Sequence, residues 1–210
     1  MNLSQSCLEE DRNEKIPEED DAFVQEVEKI AKGTGEIVRD YYAKRGGHEF
    51  KSERQVVTAA DREAEKLLRQ QLLKLYSCNF WGEESGGQVT DRGDQWVVDP
   101  LDGTENIAGY PPLLALSVGL LRDGEPVLGV VYDPIHGALY SARAGGEASV
   151  NGKLIQVSKQ TDPAKAIIAV DFSSRMTMRT QTLAQLSAVL ELARAVRVIG
   201  CSGTVACCGG

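Results

Sequence analysis

The chain has 210 residues, 42% hydrophobic and 26% charged, so it can bury the core of one large domain or two small ones. Lysine and arginine number 23 against 31 aspartate and glutamate, a formal net charge of −8; this argues against a nucleic-acid polymer as partner, because such binders draw their affinity from basic groups that neutralise phosphates. No apolar run reaches membrane-spanning length, and no hydrophobic stretch follows a basic start, so neither a membrane span nor a secretory signal is expected.

Residues 1–19 are polar and acidic and cannot bury enough surface to offset ordering, so a disordered tail is expected there. A helix should start at Asp20 or Asp21, with Phe23, Val27, Ile30, Ala31, Val38 and Tyr41 at helical spacing and Gly46-Gly47 as its stop. Thr58 is the expected cap of a second helix, with Asp61 in capping-box position and Ala60, Ala64, Leu67, Leu68, Leu72 and Leu75 on its apolar face. Asn79–Gly82 reads as a short strand delivering Glu83-Glu84-Ser85, and Trp96-Val97-Val98 as another delivering Asp99. The middle of the chain reads as antiparallel sheet. Its strands are 113–121, 127–132, 138–142 and 155–157, with Asp123-Gly124 and Asn151-Gly152 as tight turns. Ala166–Val170 and Val196–Ile199 read as buried strands around a helix carrying Leu183, Leu186, Val189, Leu190 and Ala193, a βαβ run that suggests a second α/β layer. The five cysteines, Cys7, Cys78, Cys201, Cys207 and Cys208, fit neither a disulfide framework nor a zinc site, and reduced thiols in a cytoplasmic protein are the expectation.

Two acidic pieces, each after a short apolar strand, carry the chemistry: Gly82-Glu83-Glu84-Ser85 and Asp99-Pro100-Leu101-Asp102-Gly103-Thr104. Pro100 stiffens the turn and brings Asp99 near Asp102. Like carboxylates a few ångströms apart repel by about 4 kcal/mol at an effective dielectric of ~20. A divalent cation turns that repulsion into binding, and oxygen-only ligands favour Mg²⁺ or Mn²⁺ over zinc. Gly103 lets backbone approach a ligand, and Thr104 can open a helix whose free N–H groups suit phosphate. Taken singly, Glu-Glu-Ser is a solvated loop, Asp-Pro a turn and Asp-Gly-Thr a helix cap; Asp133-Pro134 is read as a plain turn. His48 and His136 lie outside both pieces and are read as structural.

Together GEES and DPLDGTEN resemble the signature of the inositol monophosphatase family, within the superfamily that includes fructose-1,6-bisphosphatase and the 3′-phosphoadenosine 5′-phosphate phosphatases. VVTAADREAEKLL resembles that family's second helix, and the stretch from Tyr110 to Ser158 resembles its central sheet. The resemblance implies an α+β, α/β-type layered αβαβα sandwich of the sugar-phosphatase kind. Residues 20–210 would be the phosphatase domain, with 20–158 holding the helices, antiparallel sheet and metal site, and 159–210 beginning the C-terminal α/β part. It implies Mg²⁺ as cofactor, two or three ions in the complete site, held by Glu83, Asp99, the Leu101 carbonyl and Asp102. Glu83, Thr104 and Asp102 would be catalytic; Gly103, Thr104 and Asp102 would hold the phosphate ester; Asp61, with Lys51 as partner, would stand behind the ligands. The implied activity is hydrolysis of a small-molecule phosphate ester, inositol monophosphate first, by metal-activated water, sensitive to lithium. Alternatives are a 3′-phosphoadenosine 5′-phosphate or sugar-phosphate substrate, or a non-catalytic metal- or phosphate-binding remnant or subunit.

Family members continue past the point matched by Gly210, into a Trp-Asp-x-Ala-Ala motif whose aspartate completes the second metal site. Trp81 and Trp96, the only tryptophans here, do not precede aspartate. The resemblance therefore implies an incomplete last layer, an exposed sheet edge and helix face, and a weak second metal site; a complete chain would be a homodimer.

Overall fold

In the computed structural model, residues 20–44, 48–52, 55–109, 111–172 and 176–207 are described. Helix α1, Asp21–Lys44, starts where its apolar spacing begins, and the Asp20 carboxylate caps it by accepting from the Ala22 amide at 2.9 Å. Its buried stripe is Phe23, Val27, Ile30, Ala31, Thr34, Gly35 and Val38. The expected tail and the expected Gly46-Gly47 stop lie outside the described residues. An antiparallel pair follows, β1 (His48–Ser52) and β2 (Gln55–Thr58), which the sequence reading did not name. Helix α2, Ala59–Leu75, buries Ala60, Asp61, Ala64, Glu65, Leu68 and Leu72, so two acidic residues share its apolar face. The expected Thr58 cap rests on a side chain outside those described.

A seven-stranded sheet carries the rest of the core, in chain order: β3 (Asn79–Gly82), β4 (Asp94–Asp102), β5 (Ala115–Arg122), β6 (Glu125–Asp133), β7 (Ala138–Arg143), β8 (Ala148–Val150) and β9 (Lys153–Ile155). Only β3 and β4 pair in parallel; every later pair is antiparallel. The turns are as expected: Asp123 and Gly124 (φ +49° and +82°) join β5 to β6, and Asn151 and Gly152 (φ +49° and +73°) join β8 to β9.

Register stacks the apolar residues of one face into rows: Trp96, Leu120 and Leu128; then Val98, Val118 and Val130; then Leu116, Tyr132 and Leu139. Helices α1 and α2 cover these rows with Phe23, Val27, Leu68 and Leu72. Trp96 is wholly buried, stacks on Phe23 and donates its indole N–H to the Tyr76 carbonyl at 3.1 Å. Gly35 is the contact point between α1 and β6: a Cβ there would stand 2.5 Å from the Tyr132 ring. The other face has a row of small residues, Gly119, Gly129 and Ala142 side by side, next to Ser117, Val131 and Tyr140.

After a single 3₁₀ turn at Pro163–Lys165 come β10 (Ile167–Val170), α4 (Met176–Leu192), β11 (Ala195–Val198) and α5 (Ser202–Cys207). The βαβ run is present, with β10 parallel to β11. Its expected burial is not: Ile167 is 62% exposed, Val198 58% and Leu190 58%. Among the described residues β10 and β11 pair only with each other, and neither strand carries a fully buried side chain.

Truncating Trp96 to alanine should lower unfolding free energy by about 3–5 kcal/mol, the range for a large buried aromatic. Leu183→Ala, at a side chain more than half exposed, should change it by no more than about 0.5 kcal/mol. Urea titrations of the two variants against the unchanged protein check this contrast.

Candidate active site

Parallel pairing sets Gly82 opposite Val98, so Glu83 leaves β3 beside Asp99, and the Glu83 amide donates to the Val98 carbonyl at 3.1 Å. The second acidic piece is not the turn that the sequence suggests. Strand β4 runs on through Asp102, and its register against β5 slips: Asp99 faces Ser117 while Asp102 faces Ala115. One extra residue is therefore accommodated, a bulge. Pro100, which has no N–H to offer a ladder, suits it. In a regular strand residues three apart point to opposite faces; the bulge turns Asp99 and Asp102 to the same cavity. Leu101 buries its side chain in the small core with Val38, Ala60 and Leu114, and its amide donates to Asp99 Oδ1 at 3.0 Å.

Gly103 has φ +88°, and a Cβ there would stand 2.7 Å from the Leu113 carbonyl oxygen, so only glycine fits. Thr104 opens the short helix α3, Thr104–Gly109. Its hydroxyl donates to the Leu101 carbonyl at 2.9 Å, with Asp61 Oδ1 3.4 Å away as a second acceptor. Asp61 is 2% exposed and thus reaches from α2 to the second motif. Lys51 lies on β1, with its side chain outside those described. His136 is 2.7 Å through Nδ1 from Asp133 Oδ2, and Asp133 Oδ1 accepts from the amides of Ile135 and His136, the plain turn expected.

A cavity of about 630 Å³ gathers Glu83, Asp99, Leu101, Asp102, Gly103 and Thr104, and adds Trp81, Asp171, Phe172 and Ser202. The last three come from far along the chain, after β10 and at the start of α5, and nothing in their local sequence marks them. Asn106 is a further residue whose role sequence reasoning missed: its side-chain nitrogen lies 2.8 Å from the Leu113 carbonyl oxygen and 3.2 Å from those of Ile199 and Gly200, tying α3 to the approach to α5. At that approach Asp102 Oδ2 accepts from the Ser202 hydroxyl at 3.0 Å and the Gly203 amide at 2.5 Å. A larger cavity of about 760 Å³ on the small-residue face has no charged side chain in its lining.

Burial, then the Glu83 and Asp102 carboxylates, push the Asp99 carboxyl up to about 9; the Leu101 amide opposes this without overcoming it. Among the described residues no lysine or arginine lines the cavity, and a cation or a proton would supply the counter-charge these carboxylates need. The donors are carboxylate, carbonyl and hydroxyl oxygens, a set suited to Mg²⁺ or Mn²⁺. Among the described residues no three His, Cys, Asp or Glu side chains converge into a finished cage; the Asp102 carboxylate is turned towards α5.

The sequence profile of the inositol monophosphatase family matches residues 20–208. The chain belongs to that family. Its members are phosphomonoesterases and depend on metal. Inositol monophosphatase 2 of Solanum lycopersicum is 35% identical over 187 residues, covering 85% of this chain and 70% of the relative. Inositol monophosphatase 1 of Homo sapiens is 37% identical over 130 residues, which span 60% of this chain and 47% of the relative. The crystal structure of extragenic suppressor protein suhB from Bartonella henselae superposes with a TM-score of 0.79 at 29% identity, covering 88% of this chain and 74% of that one. Inositol monophosphatase from Anabaena superposes at 0.73, also at 29% identity, covering 85% and 67%. The layered α+β sandwich is thus the family's fold. No helix among the described residues is long and apolar enough to cross a membrane.

The raised Asp99 value has a consequence for stability. In metal-free protein the unfolded chain loses this proton near the ordinary carboxylate value, whereas the folded chain keeps it up to about pH 9. Between those limits stability falls as pH rises, with a slope of up to about 1.4 kcal/mol per pH unit. Urea titrations in chelator between about pH 5 and 8 should show the decline, and Asp99→Asn should flatten it.

Proposed function

We propose that this chain is a Mg²⁺-dependent phosphomonoesterase that hydrolyses a small phosphate ester, inositol monophosphate first, by attack of an activated water. The observation carrying this reading is the cavity that joins the carboxylates of Glu83, Asp99 and Asp102, with no basic side chain among its described lining residues. A site of that charge accepts an anionic phosphate only when cations are bound. Asp99 and Asp102, with Glu83 and the Leu101 carbonyl, are the donors that would hold them. When bound, Mg²⁺ would neutralise the phosphate and lower the pKa of a coordinated water.

The protein's own groups do the rest. Glu83 accepts the proton of the attacking water, and the Thr104 hydroxyl orients that water by switching from the Leu101 carbonyl. Main-chain amides of Gly103 and Thr104 would meet the phosphate oxygens, on a turn that glycine alone allows because a Cβ on Gly103 would strike the Leu113 carbonyl. Asp102 stands towards the alcohol that leaves, next to Ser202. A sugar phosphate is the alternative substrate; the Aquifex aeolicus relative, 34% identical over 154 residues, is named a fructose-1,6-bisphosphatase/inositol-1-monophosphatase.

One observation favours a second reading, metal or phosphate binding without turnover: Asp102 Oδ2 is already engaged by Ser202 and Gly203. Phosphate release separates the two readings. The catalytic reading expects Mg²⁺-dependent release from inositol monophosphate, suppressed by lithium. It also expects Thr104→Ala to be slower on the order of 100-fold, and Asp99→Asn to lose both turnover and Mg²⁺ binding by calorimetry. Binding without release would support the second reading, and neither binding nor release would overturn both.

A further inference from the structure

We propose that Glu65 is a positioning residue that holds the Glu83 loop in its metal-binding shape, an inference that rests on the reading of Glu83 as a Mg²⁺ ligand. Glu65 is 5% exposed and lies on the buried stripe of α2. Among the described residues its carboxylate meets backbone amides rather than a basic side chain. Oε2 accepts from the Glu84 amide at 2.7 Å and Oε1 from the Ser85 amide at 2.8 Å. A carboxylate offers an acceptor to each of two neighbouring donors, whereas a glutamine would present one acceptor and one donor. The two amides belong to the residues directly after Glu83, so the loop is held from below while the Glu83 side chain is presented above.

Two further contacts make this a built arrangement. Gly82 and Gly86 bridge each other across the loop base, the Gly86 amide donating to the Gly82 carbonyl at 2.8 Å. A Cβ on Gly82 would stand 2.5 Å from the Glu65 carboxylate carbon, so glycine is required there for Glu65 to reach the loop. One turn earlier on the same helix, Asp61 meets Thr104 of the other acidic piece. Helix α2 thus grips both halves of the site with two carboxylates four residues apart, on one face of the helix.

The test uses the whole chain with two readouts, amide hydrogen exchange in metal-free protein and Mg²⁺ calorimetry. In the unchanged protein the Glu84 and Ser85 amides should be protected. Glu65→Gln should expose those two while core amides such as Val98 stay protected, and should weaken Mg²⁺ binding about 10- to 100-fold, the range for lost outer-shell support. Glu83→Gln should lose Mg²⁺ binding yet keep the two amides protected. Gly82→Ala, which drives its Cβ into the Glu65 carboxylate, should repeat the Glu65→Gln pattern and serves if that variant does not fold. Unprotected Glu84 and Ser85 amides in the unchanged protein would overturn the proposal. So would Glu65→Gln binding Mg²⁺ normally while Glu83→Gln does not, an outcome that leaves the functional reading standing. No Mg²⁺ binding by the unchanged protein would remove that reading and this proposal together.

Discussion

Strands β3 and β4 leave the sheet at the same end because they run parallel, and the acidic cavity depends on that shared direction. Had they paired antiparallel, Glu83 would emerge at the opposite edge from Asp99. The pairing itself follows from packing: Trp96 and Val98 of β4 sit in the rows covered by α1 and α2, and the β3 chain is led to β4's flank directly after α2. A one-residue slip of β4 would turn Trp96 to the other face, so the burial of one indole fixes which side chains reach the site. The bulge at Pro100 and Leu101 then makes the one local exception, turning Asp102 to the side of Asp99.

That geometry gathers negative charge where no basic side chain among the described residues balances it. The chain carries a formal charge of −8, and the cavity concentrates four of its carboxylates, Glu83, Asp99, Asp102 and Asp171. The fold tolerates this without metal by holding a proton on Asp99 and by lending the Ser202 hydroxyl and Gly203 amide to Asp102. A cation that binds the folded form would displace that proton and add its binding free energy to stability by mass action. Ligand affinity and fold stability are therefore one quantity here: the arrangement least favourable to the empty chain is the one a divalent ion rewards.

Much of this was legible in the residues. The apolar spacing of α1 and α2, the Asp-Gly and Asn-Gly turns and the strands from β5 to β7 rest on local physics and are where the sequence implies; the strand expected at 155–157 lies instead at Lys153–Ile155, and Val157 is exposed. The six residues from Glu83 to Thr104 singled out for the site all line one cavity. What escaped was long-range. Glu65 has no marked role in the sequence; it gains one only when the Glu84 and Ser85 amides are placed beside it. Asn106 reads as the tail of a motif until Ile199 and Gly200 arrive from far along the chain. Asp99 to Asp102 reads as a turn because Pro and Gly flank it, yet pairing with β5 extends the strand and makes a bulge instead. The βαβ run was read as buried from its apolar residues alone, but hydrophobicity states what a strand can bury and not whether anything covers it.

The site draws on two parts of the molecule with different rigidity. Glu83, Asp99 and Asp102 stand on strands backed by the helix-covered core, where Leu68, Trp96 and Val98 are almost wholly buried. Asp171 and Phe172 follow β10, in a part where Ile167, Leu190 and Val198 are more than half exposed. Segments with few buried contacts open locally at lower free energy than core strands. On the proposed mechanism, the groups that meet the phosphate and cations belong to the rigid part, which suits chemistry sensitive to displacements of an ångström or less. The groups that line the far side of the cavity belong to the softer part, where side chains can change without disturbing the core. On that mechanism substrate choice would vary through Asp171 and Phe172, while Ser202, bonded to the Asp102 carboxylate, belongs with the fixed frame.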